Sequence, residues 1–460
     1  MTAVLYEGDS AEERWREDVS RYSAIRHPNI LQLLGVVSSG LHAAVFHDDL
    51  IPYRELLQQS RNHSHFWTVH FWACMETEFR DADQYVLSLS GRPLHWTEYT
   101  VWIRPLTRRL CLDLTSATYY VPLYLTRVSA RQSGSMDPPR DSEIITSMSH
   151  NDYHDICYWH LCHFHQFLIS RKIPVTLGSI SYLCGPHYEA SLKIAVTPNP
   201  KINDSGWCTM DQVIYQGWNP IHLDERGAVI MENGWIRLNC DAIEEEYRRR
   251  ICVDPSSARS WLAHANHIFN YLDVTSNLER YFLVDVIHYW LQIDGPIYSD
   301  QGGYLFLCPL EDLQPDMPGV FRSPACPAYW SFDPSGIERL CPADACALGF
   351  PRINVQVELW GKCWNSSVYA GISRFHEVKQ FDPSQQEASV DYPNYHLCCD
   401  RNALLGHNGS EFQPCLFENS DGSTAQASNP GHLQADGVHL PWGTRDMVCT
   451  LQDTLIRPFL

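Results

Sequence analysis

The chain has 460 residues, with 34 Lys+Arg against 54 Asp+Glu and a formal net charge of −20. A chain this acidic repels phosphate backbones, which argues against nucleic acid as a partner. Its 44% hydrophobic and 19% charged content fits a folded protein of two or three domains, and no apolar run approaches the ~20 residues that span a bilayer.

No charged start is followed by an apolar run, so no signal peptide is read and a cytoplasmic location is expected. The sequons at Asn62, Asn203, Asn365 and Asn408 are then expected to carry no sugar. Seventeen cysteines include no Cys-x-x-Cys pair, so reduced and mostly buried thiols are expected.

In chain order, Thr2–Glu7 reads as a strand and Gly8-Asp9 as a turn. Ser10 and Glu13 have capping-box spacing and open a helix, with Trp15, Val19 and Tyr22 as its inward face. Pro28 disfavours helical geometry at His27, so the helix stops there. Asn29 can bond its own local backbone, and Ile30, Leu31, Leu33 and Leu34 begin a buried strand over Ile30–Val37. Leu41–Phe46 is a second strand, His47–Pro52 a linker, and Tyr53–Gln59 the start of another helix.

The run Arg26-His-Pro-Asn-Ile-Leu-Gln-Leu-Leu-Gly35 resembles the turn between helix C and the fourth strand of a protein-kinase small lobe. The order of elements over residues 2–59 resembles that lobe as well. The resemblance implies a lysine on the first strand and a glutamate on the helix, paired to hold ATP phosphates. The lysine position falls at about Leu5, and the first lysine in the chain is Lys172. The glutamate position is Asp18, a shorter acid. A Gly-rich loop has no room before the strand, and His-Arg-Asp and Asp-Phe-Gly are absent. Phosphoryl transfer depends on positioning and charge stabilisation, so these losses leave it no route.

Further along, His65–Phe79 reads as a buried helix and Asp81–Leu89 keeps helical spacing. Thr100–Arg104 and Arg109–Leu114 read as strands joined at Pro105, and residues 131–143 as a linker. His150–Ile169 is an aromatic, histidine-rich helix. Strands are read at Val175–Leu183 and Leu192–Val196, followed by a turn-rich part in which Trp207, Trp218 and Trp235 each adjoin a glycine. Glu244–Glu246 and Arg248–Arg250 read as acid-to-base pairs along one exposed helix. Ser260–Tyr271 and Leu278–Leu291 are two more helices, and Gly303–Leu307 is a strand. Asp333-Pro-Ser-Gly336 is a turn, Pro342 and Gly349 bracket a short helix, Val355–Trp360 is a strand and Ser367–Lys379 a helix. From Ser384 the composition shifts, and Asn419–Gly437 reads as a loose tail.

The fold expected is α+β: a kinase-small-lobe-like segment over 1–60, a larger mixed region over 61–383 and a poorly structured tail over 384–460. Residues 1–383 resemble a basidiomycete family that pairs a fragmentary kinase small lobe with a long region of unestablished function. The matching phrases are Phe46-His-Asp-Asp-Leu-Ile-Pro52, Trp102-Ile-Arg104, Trp261-Leu-Ala-His-Ala-Asn-His-Ile-Phe269, Ala328-Tyr-Trp-Ser-Phe-Asp-Pro-Ser-Gly336 and Leu348-Gly-Phe-Pro351. The resemblance supplies no catalytic residue to carry over.

His150, His154, Cys157, His160, Cys162, His163 and His165 form the densest set of metal-ligand residue types. On a helix, His150, His154 and Cys157 share one face and suit zinc, with Asp152 and Asp155 behind them. The run is equally rich in Tyr, Trp and Phe, which a packed core explains. His47-Asp48-Asp49 stands at the kinase hinge, His264 and His267 border a packed helix, and Ser335 lies in a turn without a nucleophile-elbow motif. No catalytic residue, metal ligand or cofactor is assigned. The expected function is a non-catalytic, pseudokinase-like binding or regulatory module, possible partners being proteins. The alternatives are an enzyme, metal-assisted or not, built on residues 100–383, and a kinase-like fragment with residual ATP binding.

Overall fold

The computed structural model describes residues 1–398 except 39, 48, 54, 57–63, 96–97, 115–138, 198–199, 210–227, 241–242, 296–301, 310, 316–318 and 382–394, with backbone alone at 205–209. Trp218, the sequons at Asn62 and Asn408, Asp48, residues 131–138 of the expected linker and the tail from residue 399 lie outside the described residues. The protein is α+β, with seven helices among the described residues and several antiparallel sheets.

β1 (Thr2–Tyr6), α1 (Ala11–Ala24), β2 (Leu33–Val37) and β3 (His42–Phe46) come in the expected order, and β3 lies between β1 and β2. Tyr22 on α1 is buried, and Trp15 Nε1 donates to Ala43 O at 2.9 Å, so the helix packs its expected face on β3. The capping box does not form: Ser10 precedes the helix, but its side chain makes no capping hydrogen bond. Nor is β2 the buried strand expected. Ile30 and Leu31 are buried ahead of it, whereas Leu34 and Val36 are each 47% exposed.

β4 (Ile51–Pro52) pairs with β5 (Thr100–Arg104), which forms a hairpin with β6 (Arg109–Asp113). Tyr53, Glu55 and Leu56 are helical, and the rest of the helix expected there is outside the described residues. α2 (His65–Ser90) joins two expected segments into one 26-residue helix. Ser64 Oγ caps it by accepting from Trp67 N at 3.1 Å, and Gly91, at φ +74°, ends it with an N–H to Leu87 O. Its first part, to Phe79, is buried on most sides, as suits a helix enclosed by protein, whereas Leu87 and Leu89 near its end are exposed.

α3 (Asp141–Ser147) takes Asp141–Glu143 out of the expected linker. α4 (His150–His160) ends before the expected helix does, and β7 (His163–Ile169) follows. The backbone of β7 pairs with a later strand, and that tertiary ladder overrides the helical spacing of its histidines.

β8 (Val175–Thr176) and β9 (Ser179–Leu183) are separated at Gly178, whose φ of +75° divides the expected single strand. Then come β10 (Ser191–Val196), β11 (Ile202–Thr209), β12 (Val229–Ile230), β13 (Ile236–Asn239), β14 (Glu246–Val253) and α5 (Pro255–Leu272). β15 (Tyr281–Asp294), β16 (Tyr304–Leu307), β17 (Val320–Phe321), β18 (Ala328–Ser331), α6 (Pro342–Ala347), β19 (Arg352–Cys363), α7 (Ser366–Lys379) and β20 (His396–Leu397) complete the described chain.

Two expected helices are strands. Glu244–Arg250 falls largely in β14, where Tyr247, Arg249, Ile251 and Val253 alternate inward. Arg249 hides that alternation in the sequence; it is fully buried and pairs with Asp204 on β11. Leu278–Leu291 becomes β15 after a single 3₁₀ turn, a 14-residue strand buried on both faces. Its aromatic and β-branched run suits a central strand, which short-range periodicity does not separate from a buried helix.

β15 pairs with β14, β19 and β9 in an eight-stranded sheet, with β7 at one edge beyond β19. One core lies against the four-stranded sheet β12-β13-β16-β18 and includes Ile287, Tyr289, Leu359, Leu238, Phe306 and Trp330. A second core joins the amino-terminal sheet to the helices and one end of the large sheet, through Tyr22, Ile30, Phe66, Tyr153, Trp261 and Trp364. β20 adds to the edge at β10, and Tyr395 OH donates to Ser257 O at 3.2 Å.

Candidate functional site

Four constellations of polar side chains stand out. In the amino-terminal unit, Tyr6 ends β1 and Asp18 faces it from α1. The phenol donates to Asp18 Oδ2 at 2.9 Å, and Arg21 Nη1 donates to Asp18 Oδ1 at 2.9 Å. Burial, followed by the Asp18 bond and charge, raises the Tyr6 pKa well above the usual phenol range. Leu5, at the expected lysine position, is half-buried on the same strand. Of the two lysines closest in sequence, Lys193 Nζ donates to Thr176 Oγ1 at 3.1 Å and Lys172 lies in a turn after β7. The cation in this link, Arg21, is held by Asp18, Glu17 and the Leu114 carbonyl.

The His-Pro-Asn turn is held from outside itself. Asn29 Nδ2 reaches Leu110 O at 3.2 Å, rather than bonding only its own backbone. Asn29 N also donates to His27 Nδ1 at 3.2 Å. Arg104 Nη1 donates to Pro28 O at 2.7 Å and Leu110 O at 3.0 Å, while Leu31 and Leu112 close a backbone bridge beside them. Tyr22 OH donates to Asp113 and accepts from Leu114 N, so α1 is tied to the same hairpin. His47 N, at the expected hinge position, donates to Gln32 O at 2.9 Å and is thereby engaged within the protein.

The histidine run is divided by the end of α4. His154 Nε2 lies 3.2 Å from His376 Nε2 on α7, and both rings are buried. Burial, then the neighbouring histidines, holds His376 down to about 3, and burial likewise keeps His154 well below its usual value. A neutral pair sharing one proton fits that geometry. His160 Nε2 instead meets Glu76 at 2.8 Å beneath the Trp72 ring, stacked 4.1 Å away. His163 and His165 belong to β7, and Cys157 is fully buried with its thiol pushed up by desolvation. Cys162 is pushed up to about 11 for the same reason. Asp152 accepts from Ser149 Oγ at 2.7 Å and Asp155 pairs with Arg259 at 3.3 Å. Among the described residues no three His, Cys, Asp or Glu side chains are grouped to hold a metal ion.

The fourth constellation was not legible in the sequence. A register shift between Val284 and Val286 opens β15 at Asp285, opposite β19. Asp285 accepts from Tyr158 OH at 3.0 Å and pairs with Lys362 Nζ at 3.4 Å. Lys362 lies 3.3 Å from the centre of the Tyr158 ring and 4.6 Å from that of Trp159. The signal available was an acid inside the apolar run Tyr281–Leu291 and one of only five lysines, in separate strands. Asp285 and Lys362 are 3% and 4% exposed, so the pair holds the sheet to α4 rather than meeting a solute. His264 packs in α5 with Nδ1 2.7 Å from Ser260 O, His267 is exposed, and Ser335 N donates to Asp333 Oδ1 in the expected turn.

Among the described residues no helix is long and apolar enough to cross a membrane, and each described cysteine is a free thiol. No family model matches the chain, and neither does any curated protein or solved structure.

Proposed function

We infer that the protein is a non-catalytic, kinase-derived binding or regulatory module acting through protein contacts in the cytoplasm. The observation that supports this is the engagement of Asp18, at the expected glutamate position, by Tyr6 and Arg21, with Leu5 at the expected lysine position. The order β1, α1, His-Pro-Asn turn, β2, β3 supports a small-lobe ancestry. So does the investment of Arg104, Asn29 and Tyr22 in fixing that turn against the hairpin. Scaffold contacts are kept while the phosphate-holding group is replaced, which is what a binding role requires. The phrases resembling the basidiomycete family support the same reading. Incubation with labelled ATP, magnesium and a general protein acceptor tests it. No transfer above the background without protein is expected, and robust transfer to the protein or acceptor would overturn the proposal.

A further inference from the structure

We propose that a groove on the β-sandwich, outside the amino-terminal unit, binds a small phosphate monoester. The groove, open to solvent, has a volume of about 640 Å³ and is lined by Ser170–Pro174 on one side and Arg322–Ala325 on the other. Such a volume lies within the ~300–1,000 Å³ of small-molecule sites. Among the described residues its lining holds Arg171, Lys172 and Arg322 and no acid, in a chain where acids outnumber bases 54 to 34.

Local structure explains how the cations meet. Ile173 N donates to Ser170 O at 3.0 Å, so Arg171 and Lys172 occupy the corner of a tight turn leaving β7. The β8–β17 ribbon pairs Val175 with Phe321, which brings Arg322 alongside Pro174 and hence near that corner. Arg171 Nε and Nη2 are fixed on Ser323 Oγ (3.4 Å), Pro324 O (3.1 Å) and Ala325 O (3.2 Å). Tyr289 OH, from the central strand, lies 3.0 Å from the same Ser323 hydroxyl. The wall is therefore preorganised, and ordering Arg171 costs a ligand little. Among the described residues, Arg171 Nη1 and Lys172 Nζ have no protein acceptor.

The charge selects the ligand. Against the two positive charges of Arg171 and Lys172 a carboxylate would leave one uncompensated, whereas a monoester phosphate near −2 with three acceptor oxygens balances both. Such a site is independent of the reading of the amino-terminal unit and stands if that reading fails.

Calorimetric titration of the full chain with O-phosphoserine, with glutamate as the carboxylate probe, tests the assignment. Saturable phosphoserine binding is expected, at least tenfold weaker in the Arg171→Gln/Lys172→Gln protein and unchanged in a Lys201→Gln control. These side chains are exposed at the surface, and circular dichroism checks that each variant folds. No saturable phosphoserine binding would overturn the proposal. So would equal affinity in the double variant, or glutamate binding as tightly.

Discussion

Replacing Tyr6 by Phe removes one hydroxyl and leaves the ring, so its effect isolates the bond to Asp18. A hydrogen bond to a charged acceptor contributes roughly 1.5–3 kcal/mol when well buried. Here the Asp18 side chain is 21% exposed and its other oxygen is held by Arg21, itself 33% exposed. Solvent screening lowers the expected coupling to about 1–2 kcal/mol. The assay is a double-mutant cycle of Tyr6→Phe with Asp18→Asn, each protein unfolded in urea and followed by circular dichroism. Asp18→Asn alone should cost more than Tyr6→Phe alone, because it also weakens the tie to Arg21. A coupling under about 0.5 kcal/mol would show that the pair does not link strand to helix, and the structural substitution argued above would fail.

Arg104→Met should destabilise the protein by about 2–4 kcal/mol, since it strands the Pro28 and Leu110 carbonyls in a buried site, and urea midpoints read this directly. Asp285→Ala should cost about 3–5 kcal/mol by leaving Lys362 buried and unpaired, whereas Asp285→Val with Lys362→Met should recover most of that loss. Acid should weaken the fold through its buried histidines. Burial holds His65 down to about 4, below the ~6.5 of an unfolded chain, so the unfolded state takes up the proton first as pH falls. Stability is then full above pH ~6.5 and lost between there and about 4, with His65 alone removing about 2 kcal/mol by pH 5. The His154–His376 pair adds in the same direction, and stability measured by urea titration from pH 7.5 to 5 should fall accordingly.

Much of the amino-terminal unit was legible because its signals are local. Pro28 foretells a stop near His27, although α1 already ends at Ala24; Tyr22 and Trp15 mark its buried face, and the hairpin of β5 and β6 follows from two short apolar runs. α7 was equally readable, with Asn365 capping its start. What failed was decided by partners distant in sequence. Arg249 looks like a surface charge until Asp204 on β11 is brought to it, and β15 looks helical until strands flank it on both sides. The histidine run illustrates the same limit in the candidate site. His154 finds its partner 222 residues away in His376, while His160 turns to Glu76 on α2. Spacing along one segment carries no trace of either pairing.

Hydrogen exchange across Thr2–Phe46, with and without magnesium ATP, tests most directly whether the amino-terminal unit holds nucleotide. Protection of the amides in β1, α1, β2 and β3 is expected to be the same in both conditions. Slower exchange confined to β1 and α1 in the presence of nucleotide would mean that phosphates are bound there, contradicting the claim that this unit has no group to hold them.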